Sequence, residues 1–448
     1  MKKFYITLTL FLLVAMFGIQ AVAANEFGTY NAGFQVQNLS ANVATIEITY
    51  YNQDGTTATS VSDTVPANDS NNYATLPVGA GFDGSVVISS NEPVAAIVNV
   101  NASASSLTYG ASYSSISTGS ETVSLPIINH DFFNIDTQVS VQNAGSTAAS
   151  VTITYANTAC TEIASIPVGA VHRFKQASNT CLPAKYNGAA TVTAGEGQSI
   201  VATVLQESPN ALLAYNGFTN GSTAPAMPLI TQNFFGIETG VQIQNLGSTD
   251  TVVTVSYSPA DGVGTACTES ATIPAGSAVN FALDAFVADI QTNTTNTCTL
   301  GQTFNGTASV TANSESQPLA GIVNQTIPSK GQASAYSAFD PSAAGQTVVL
   351  PLTMNKFSIW TGFTVQNVGT ASDTITCTFS AIDGTAPSVK SGTAGIGAGV
   401  SLNNFSDSEF IGSASCTSTG GEPIVAVVNQ SITGGTGDYT YTYEAFGK

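Results

Sequence analysis

The sequence predicts an all-β protein made of four tandem antiparallel β-sandwich domains, and three observations lead there. Charged residues are only 8 % of the 448-residue chain, too few to clothe the wet faces of long amphipathic helices, whereas Thr and Ser cover a strand surface well. One pattern recurs four times, at Phe34 to Ser40, Val139 to Gly145, Val241 to Gly247 and Phe363 to Gly369, and its Asn residues (Asn38, Asn143, Asn245, Asn367) are 105, 102 and 122 residues apart. That spacing is one domain per copy. After each Asn, inward apolar residues alternate with polar ones: Ile46, Ile48, Tyr50; Val151, Ile153, Tyr155; Val253, Val255, Tyr257; Ile375, Cys377, Phe379. Period two over this length marks a strand with one buried face.

Taken in order, Lys2 and Lys3, the apolar run Phe4 to Ile19, and Ala21-Val22-Ala23 form an export signal over residues 1–23, cleaved after Ala23. Thr7, Thr9 and Gly18 interrupt the run and argue against a spanning helix, so no membrane insertion is expected after cleavage. The domains then occupy residues 24–122, 123–224, 225–347 and 348–448. Copies two to four open on Leu125-Pro126-Ile127, Met227-Pro228-Leu229 and Leu350-Pro351-Leu352. Pro lacks a donor and belongs on an edge strand. Counting back from Asn38 puts the matching segment of the first copy inside the signal. The processed first domain is therefore expected to lack its opening strand and to offer an edge for assembly through residues 24–40.

The Asn-x-Gly that follows, with Ser40 departing from it in the first copy, predicts a β-hairpin joining its flanking strands. Next come an aromatic-x-Gly landmark (Phe82, Tyr186, Phe304, Phe410), an apolar strand holding amides, and a closing strand with alternating aromatics. About seven strands per copy point to a sandwich, with a barrel as the alternative.

Six Cys in an exported chain imply pairs. They fall zero, two, two and two across the copies, so the expected bridges are Cys160 with Cys181, Cys267 with Cys298, and Cys377 with Cys416. The first two share a sequence context. The third occupies inward positions on two strands and is expected to join them through the core, as in immunoglobulin domains.

Removing Lys2 and Lys3 leaves 7 basic residues against 28 acidic, net −21, which disfavours nucleic acid and anionic lipid as partners. No nucleophile-elbow, phosphate loop, dinucleotide fingerprint or zinc spacing occurs. His130 and His172 are read as solvated surface residues, and Asp54-Gly55, Asp261-Gly262 and Asp383-Gly384 as turns rather than calcium loops. No catalytic residue, metal or cofactor is assigned. Trp360, the sole Trp, stands where two other copies carry Asp136 and Glu238. It is a candidate exposed platform for a sugar or a protein, with partial burial between domains as the alternative.

Leu-Pro-Leu at the copy start, Val-Gln-Asn-x-Gly, then Thr-Ile-Thr-Tyr or Thr-Val-Ser-Tyr resemble the tandem immunoglobulin-like repeats of bacterial secreted surface proteins, including adhesion-related modules. The resemblance covers nearly all of the mature chain. It implies immunoglobulin-like domains and a cell-surface structural or adhesive role; repetition without catalytic residues, with export and disulfides, leads to a secreted, non-enzymatic array in a layer, sheath or fibre. The expected partner is a further copy of the chain, another surface protein or a glycan. A carbohydrate-binding array is the alternative.

Overall fold

Thr29–Asn38, Asp136–Asn143, Ile237–Asn245 and Ile359–Asn367 are the strands that end on the repeated Asn, and they organise everything around them. The protein is described from a computed structural model covering residues 10–14, 29–104, 107–260, 262–282, 286, 294–312, 317–382, 388–403, 409–432, 437–438 and 440–447. The chain is all-β, with several antiparallel sheets that suggest multiple β-sandwich domains.

Among the described residues eight strand positions recur in the copies, one more than expected, and copy three adds Thr294–Asn296 while copy four adds Gly437–Asp438 and Phe446–Gly447. The first, or opening, strands are Leu10–Val14, Thr122–His130, Ala226–Phe234 and Thr347–Lys356, and the second are the Asn strands above. The third are Ala44–Asn52, Ala149–Tyr155, Thr251–Pro259 and Asp373–Ala381; the fourth are Thr57–Val65, Thr161–Ile166, Cys267–Ile273 and Ser388–Ala394. Short fifth strands follow at Ser70–Tyr73, Val171–Lys175, Ala278–Phe281 and Gly399–Asn403. The sixth are Gly84–Ser90, Tyr186–Ala194, Phe304–Ala312 and Phe410–Ser418; the seventh are Val94–Ala104, Ile200–Glu207, Leu319–Ile327 and Ile424–Ile432. The eighth, or closing, strands are Leu107–Ser114, Leu212–Asn216, Gln332–Ser337 and Thr440–Glu444.

Two strand orders recur in every copy, first-sixth-third-fourth and fifth-second-seventh-eighth; in copies three and four a short pairing of the first two strands joins them. The second and third strands therefore lie in different orders and do not pair. The expected Asn-x-Gly hairpin is instead a crossover, and its glycines do not take left-handed backbone. The Asn side chain does the turning. Asn245 Nδ2 donates to Thr249 O at 2.8 Å and Ile273 O at 3.1 Å, while Oδ1 accepts from Gly247 N at 2.9 Å, and the same three bonds recur at Asn143 and Asn367. The left-handed residue each copy needs sits later, between the fourth and fifth strands, at Asn68, Gly169, Gly276 and Gly397.

The inward face of the third strand is as the alternation requires: its twelve apolar positions are all essentially inaccessible. The opening-strand Pro lies in a bulge against the sixth strand, where Leu125 faces Ala190 but Ile128 faces Gly188. The bulge frees a carbonyl, which a closing-strand Tyr reaches: Tyr336 donates to Leu229 O at 2.7 Å, Tyr215 to Ile127 O at 2.5 Å, and Tyr443 to Leu352 O.

In the first copy the opening position is filled by Leu10–Val14, inside the apolar run read as signal. Leu12 faces Ile88, as Val123 faces Val192 and Val348 faces Cys416. Removal of residues 1–23 would therefore uncover the sixth strand, Gly84–Ser90. It would not make an edge of Thr29–Asn38, the described strand within the expected residues 24–40, because that strand is interior to its own sheet, between Ser70–Tyr73 and Val94–Ala104.

Each apolar core borrows residues from the next copy. Leu205 and Leu212 enter the first, Ile322 and Ala335 the second, Val427 the third, and Ile97 of the first copy enters the fourth. The closing strands make the same circuit: Leu107–Ser114 packs on Leu212–Asn216, that on Gln332–Ser337, that on Thr440–Glu444, and the last returns to Leu107–Ser114.

Candidate functional site

Alternation along Thr29–Asn38 turns Phe34 and Val36 into the core, so Asn31, Gly33 and Gln35 face away from it. Cross-strand partners share a face: Asn31 is opposite Asn101, Gly33 opposite Asn99, and Gln35 opposite both Ile97 and Asn72. The resulting surface meets the bulge of the fourth copy, where Gln35 Nε2 donates to Pro351 O at 2.6 Å. The same contact is made between copies three and two by Gln242 Nε2 and Pro126 O at 2.7 Å.

The side chains at the first-to-fourth seam are short, and they leave a cleft of about 220 Å³ lined by Asn31, Gln35, Asn72, Asn99, Asn101 and Leu352 among others. Two of its carboxamides are held by neighbouring hydroxyls. Ser112 donates to Asn99 Oδ1 at 2.6 Å and Tyr441 to Asn101 Oδ1 at 2.5 Å, which commits the amide oxygens and leaves each Nδ2 with no hydrogen-bond partner among the described residues. Gln35 spends its Nε2 on Ser70 and Pro351, leaving Oε1 to accept. None of the lining side chains is ionisable. The chemistry on offer is neutral hydrogen bonding, not acid-base or nucleophilic work.

Two carboxyls are buried at other seams. Tyr30 donates to Glu207 Oε1 at 2.6 Å, and burial pushes Glu207 up to about 7. Nearby, Arg173 pairs with Asp83. Asp438 is inaccessible, and burial pushes it up to about 8 although Leu212 N–H and Thr440 N–H both donate to it. Its backbone also pairs in parallel with the first closing strand, opposite Tyr109, so one residue of the fourth copy reaches copy one through its backbone and copy two through its side chain.

Trp360 is half-buried, its ring 3.3 Å from where a Cβ on Gly362 would stand. Trp360 and Gly362 match Asn31 and Gly33, so the fourth copy fills with an indole the place that is open in the first.

The three bridges are Cys160–Cys181, Cys267–Cys298 and Cys377–Cys416. The last does not cross between sheets as expected. Cys377 and Cys416 face each other on neighbouring third and sixth strands of one sheet, because those strands are ladder partners. His172 is exposed, and desolvation is the main cause of its lowered pKa; His130 is half-buried, with Nδ1 3.1 Å from Pro183 O. Asp54 turns its hairpin by accepting from Thr56 N–H; Asp261 and Asp383 lie outside the described residues.

Sequence reasoning missed the exposed tips of the opening turns. Phe133, Phe235 and Phe357 are 73 %, 84 % and 71 % exposed at one repeat position, each in left-handed backbone. The available signal was an aromatic ten residues before the repeated Asn in three copies. No protein-family model matches the chain, and no curated protein matches it.

Proposed function

We propose that the chain is a secreted or cell-surface, non-enzymatic structural and adhesive protein of four immunoglobulin-like sandwich units, holding a layer, sheath or fibre together or to a surface. Its three disulfides fit an extracellular protein. Immunoglobulin character is supported by two neighbour pairs in each copy, second with fifth and third with sixth, which correspond to the B–E and C–F neighbours of that fold. The first and seventh strands trade places relative to it, which makes the likeness one of core rather than of full strand order.

The observation that carries the adhesive reading is the set of presented phenylalanines. A bulky residue in left-handed backbone costs about 1–3 kcal/mol, and a ring this exposed buries little apolar surface in its own fold. Yet the arrangement recurs in three copies, and each ring is propped. Phe132 meets Phe133 edge-on at 4.6 Å, Phe234 meets Phe235 at 4.5 Å, and Lys356 Nζ lies 5.4 Å from Phe357. Rigid aromatics offered to solvent are contact points for an apolar surface or a second copy. Replacing Phe133, Phe235 and Phe357 together by Ser is expected to abolish self-association and surface retention while leaving thermal stability equal or higher. A wild-type chain that stays monomeric at high concentration and does not adhere would overturn the reading.

A further inference from the structure

We propose that the cleft between the first and fourth copies is a binding site for a neutral, hydroxyl-rich small molecule, a single saccharide unit or the end of a glycan chain. The inference is independent of the aromatic tips. It starts from what the cleft lacks: among the described residues no charged side chain lines it, so neither an anion nor a cation is matched there. What it offers is one functional group several times over. Asn99 and Asn101 present Nδ2 donors, each held in orientation by a hydroxyl bonded to its oxygen, and Gln35 presents an acceptor whose nitrogen is already committed. Asn31 and Asn72 add two exposed carboxamides whose side chains have no hydrogen-bond partner among the described residues. A ligand group that donates to one neighbour and accepts from the next is a hydroxyl, and a row of such groups is a sugar ring.

Size points the same way. At about 220 Å³ the cleft is smaller than the ~300–1,000 Å³ of sites for drug-sized ligands, which suits one ring rather than an extended chain. Pre-orientation also lowers the ordering cost of binding, since Asn99 and Asn101 are fixed before the ligand arrives. The fourth copy supplies an internal comparison. There Trp360 lies over Gly362 at the matching place, so the fold tolerates a filled version of this surface without losing its strands.

That comparison provides the test. The full chain is titrated with methyl glycosides of glucose, galactose, mannose and N-acetylglucosamine, with glucuronate as the charged control, by calorimetry and ligand-observed NMR. At least one neutral glycoside is expected to bind, and more tightly than glucuronate. Asn31→Trp is expected to abolish binding by placing an indole in the cleft. Asn72→Ala is expected to weaken it roughly three- to tenfold, the worth of one hydrogen bond. Melting curves check that both variants fold; should Asn31→Trp not fold, Asn72→Ala decides. The Ser triple variant at the tips is expected to keep its affinity, which separates failure of this site from failure of the adhesive reading. Absence of binding by every neutral glycoside, or affinity unchanged in a folded Asn31→Trp, overturns the proposal.

Discussion

Asn245 shows how much one side chain carries when it is buried and fully bonded. It donates to Thr249 O and Ile273 O, accepts from Gly247 N, and has no solvent exposure. Asn245→Ala removes all three bonds and strands the Ile273 carbonyl, so a loss of about 2–4 kcal/mol is expected, read as a lower melting temperature. An unchanged melting temperature would refute this role. The position was legible in the sequence, since it is the landmark of the repeat. Its use was not: Asn followed by Gly is the common signature of a two-residue hairpin, and the same letters here serve a crossover in which the side chain reaches the end of the fourth strand, 28 residues away. Local turn statistics do not see a partner at that distance.

For strands, alternation states which residues face inward but not which strand lies alongside. It puts Ile46, Ile48 and Tyr50 in the core, where they lie, and likewise Cys377 and Cys416. The neighbour relation of the third and sixth strands was invisible, and so the Cys377–Cys416 bridge was placed between sheets when it lies within one. It still closes a separation of 39 residues. In the chain-entropy account, replacing both Cys by Ala is expected to lower stability by roughly 3–4 kcal/mol, measured by denaturant unfolding.

The same relation governs the N-terminal edge. A chain beginning at Ala24 lacks Leu10–Val14, and the sixth strand of the first copy then presents unpaired N–H and C=O groups along 86–90. Such a chain is expected to self-associate more strongly than the full chain, by chromatography with light scattering. Lys substitutions at Val87 and Ser89, which are only partly buried, should suppress it. Equal behaviour of the two chains would show that the edge is not used.

At the scale of the molecule, what holds the copies together cannot be read from any one of them. The cleft joins Asn31 to Leu352, and Asp438 of the fourth copy bonds to Leu212 of the second. The sequence marks four similar units, and similarity alone is equally compatible with a string of independent beads. The circuit arises because every closing strand has two neighbours, and because each core takes apolar residues from the copy beside it.

That packing buries carboxyls and so makes stability depend on pH in a definite direction. Glu207 is held at about 7 and Asp438 at about 8 in the folded chain, both above the ordinary carboxyl range, chiefly because burial disfavours the charge. The folded state thus keeps protons that the unfolded chain releases from about pH 4 upward. Their contribution is fully present below that range and is lost as pH rises through 7 to 8. The excess of acidic residues adds self-repulsion of the same sign. The melting temperature is therefore expected to be higher at pH 5 than at pH 8.5. Glu207→Gln isolates one part of this effect, since the amide oxygen can still accept from Tyr30 but carries no charge. At pH 8.5 the variant is expected to be more stable than the parent, by at most about 3 kcal/mol on the scale of 1.4 kcal/mol per pKa unit, and at pH 5 to match it. A parent that is equally stable at both values, or a variant whose pH slope is unchanged, would mean that Glu207 is reached by water at the seam between the first and second copies.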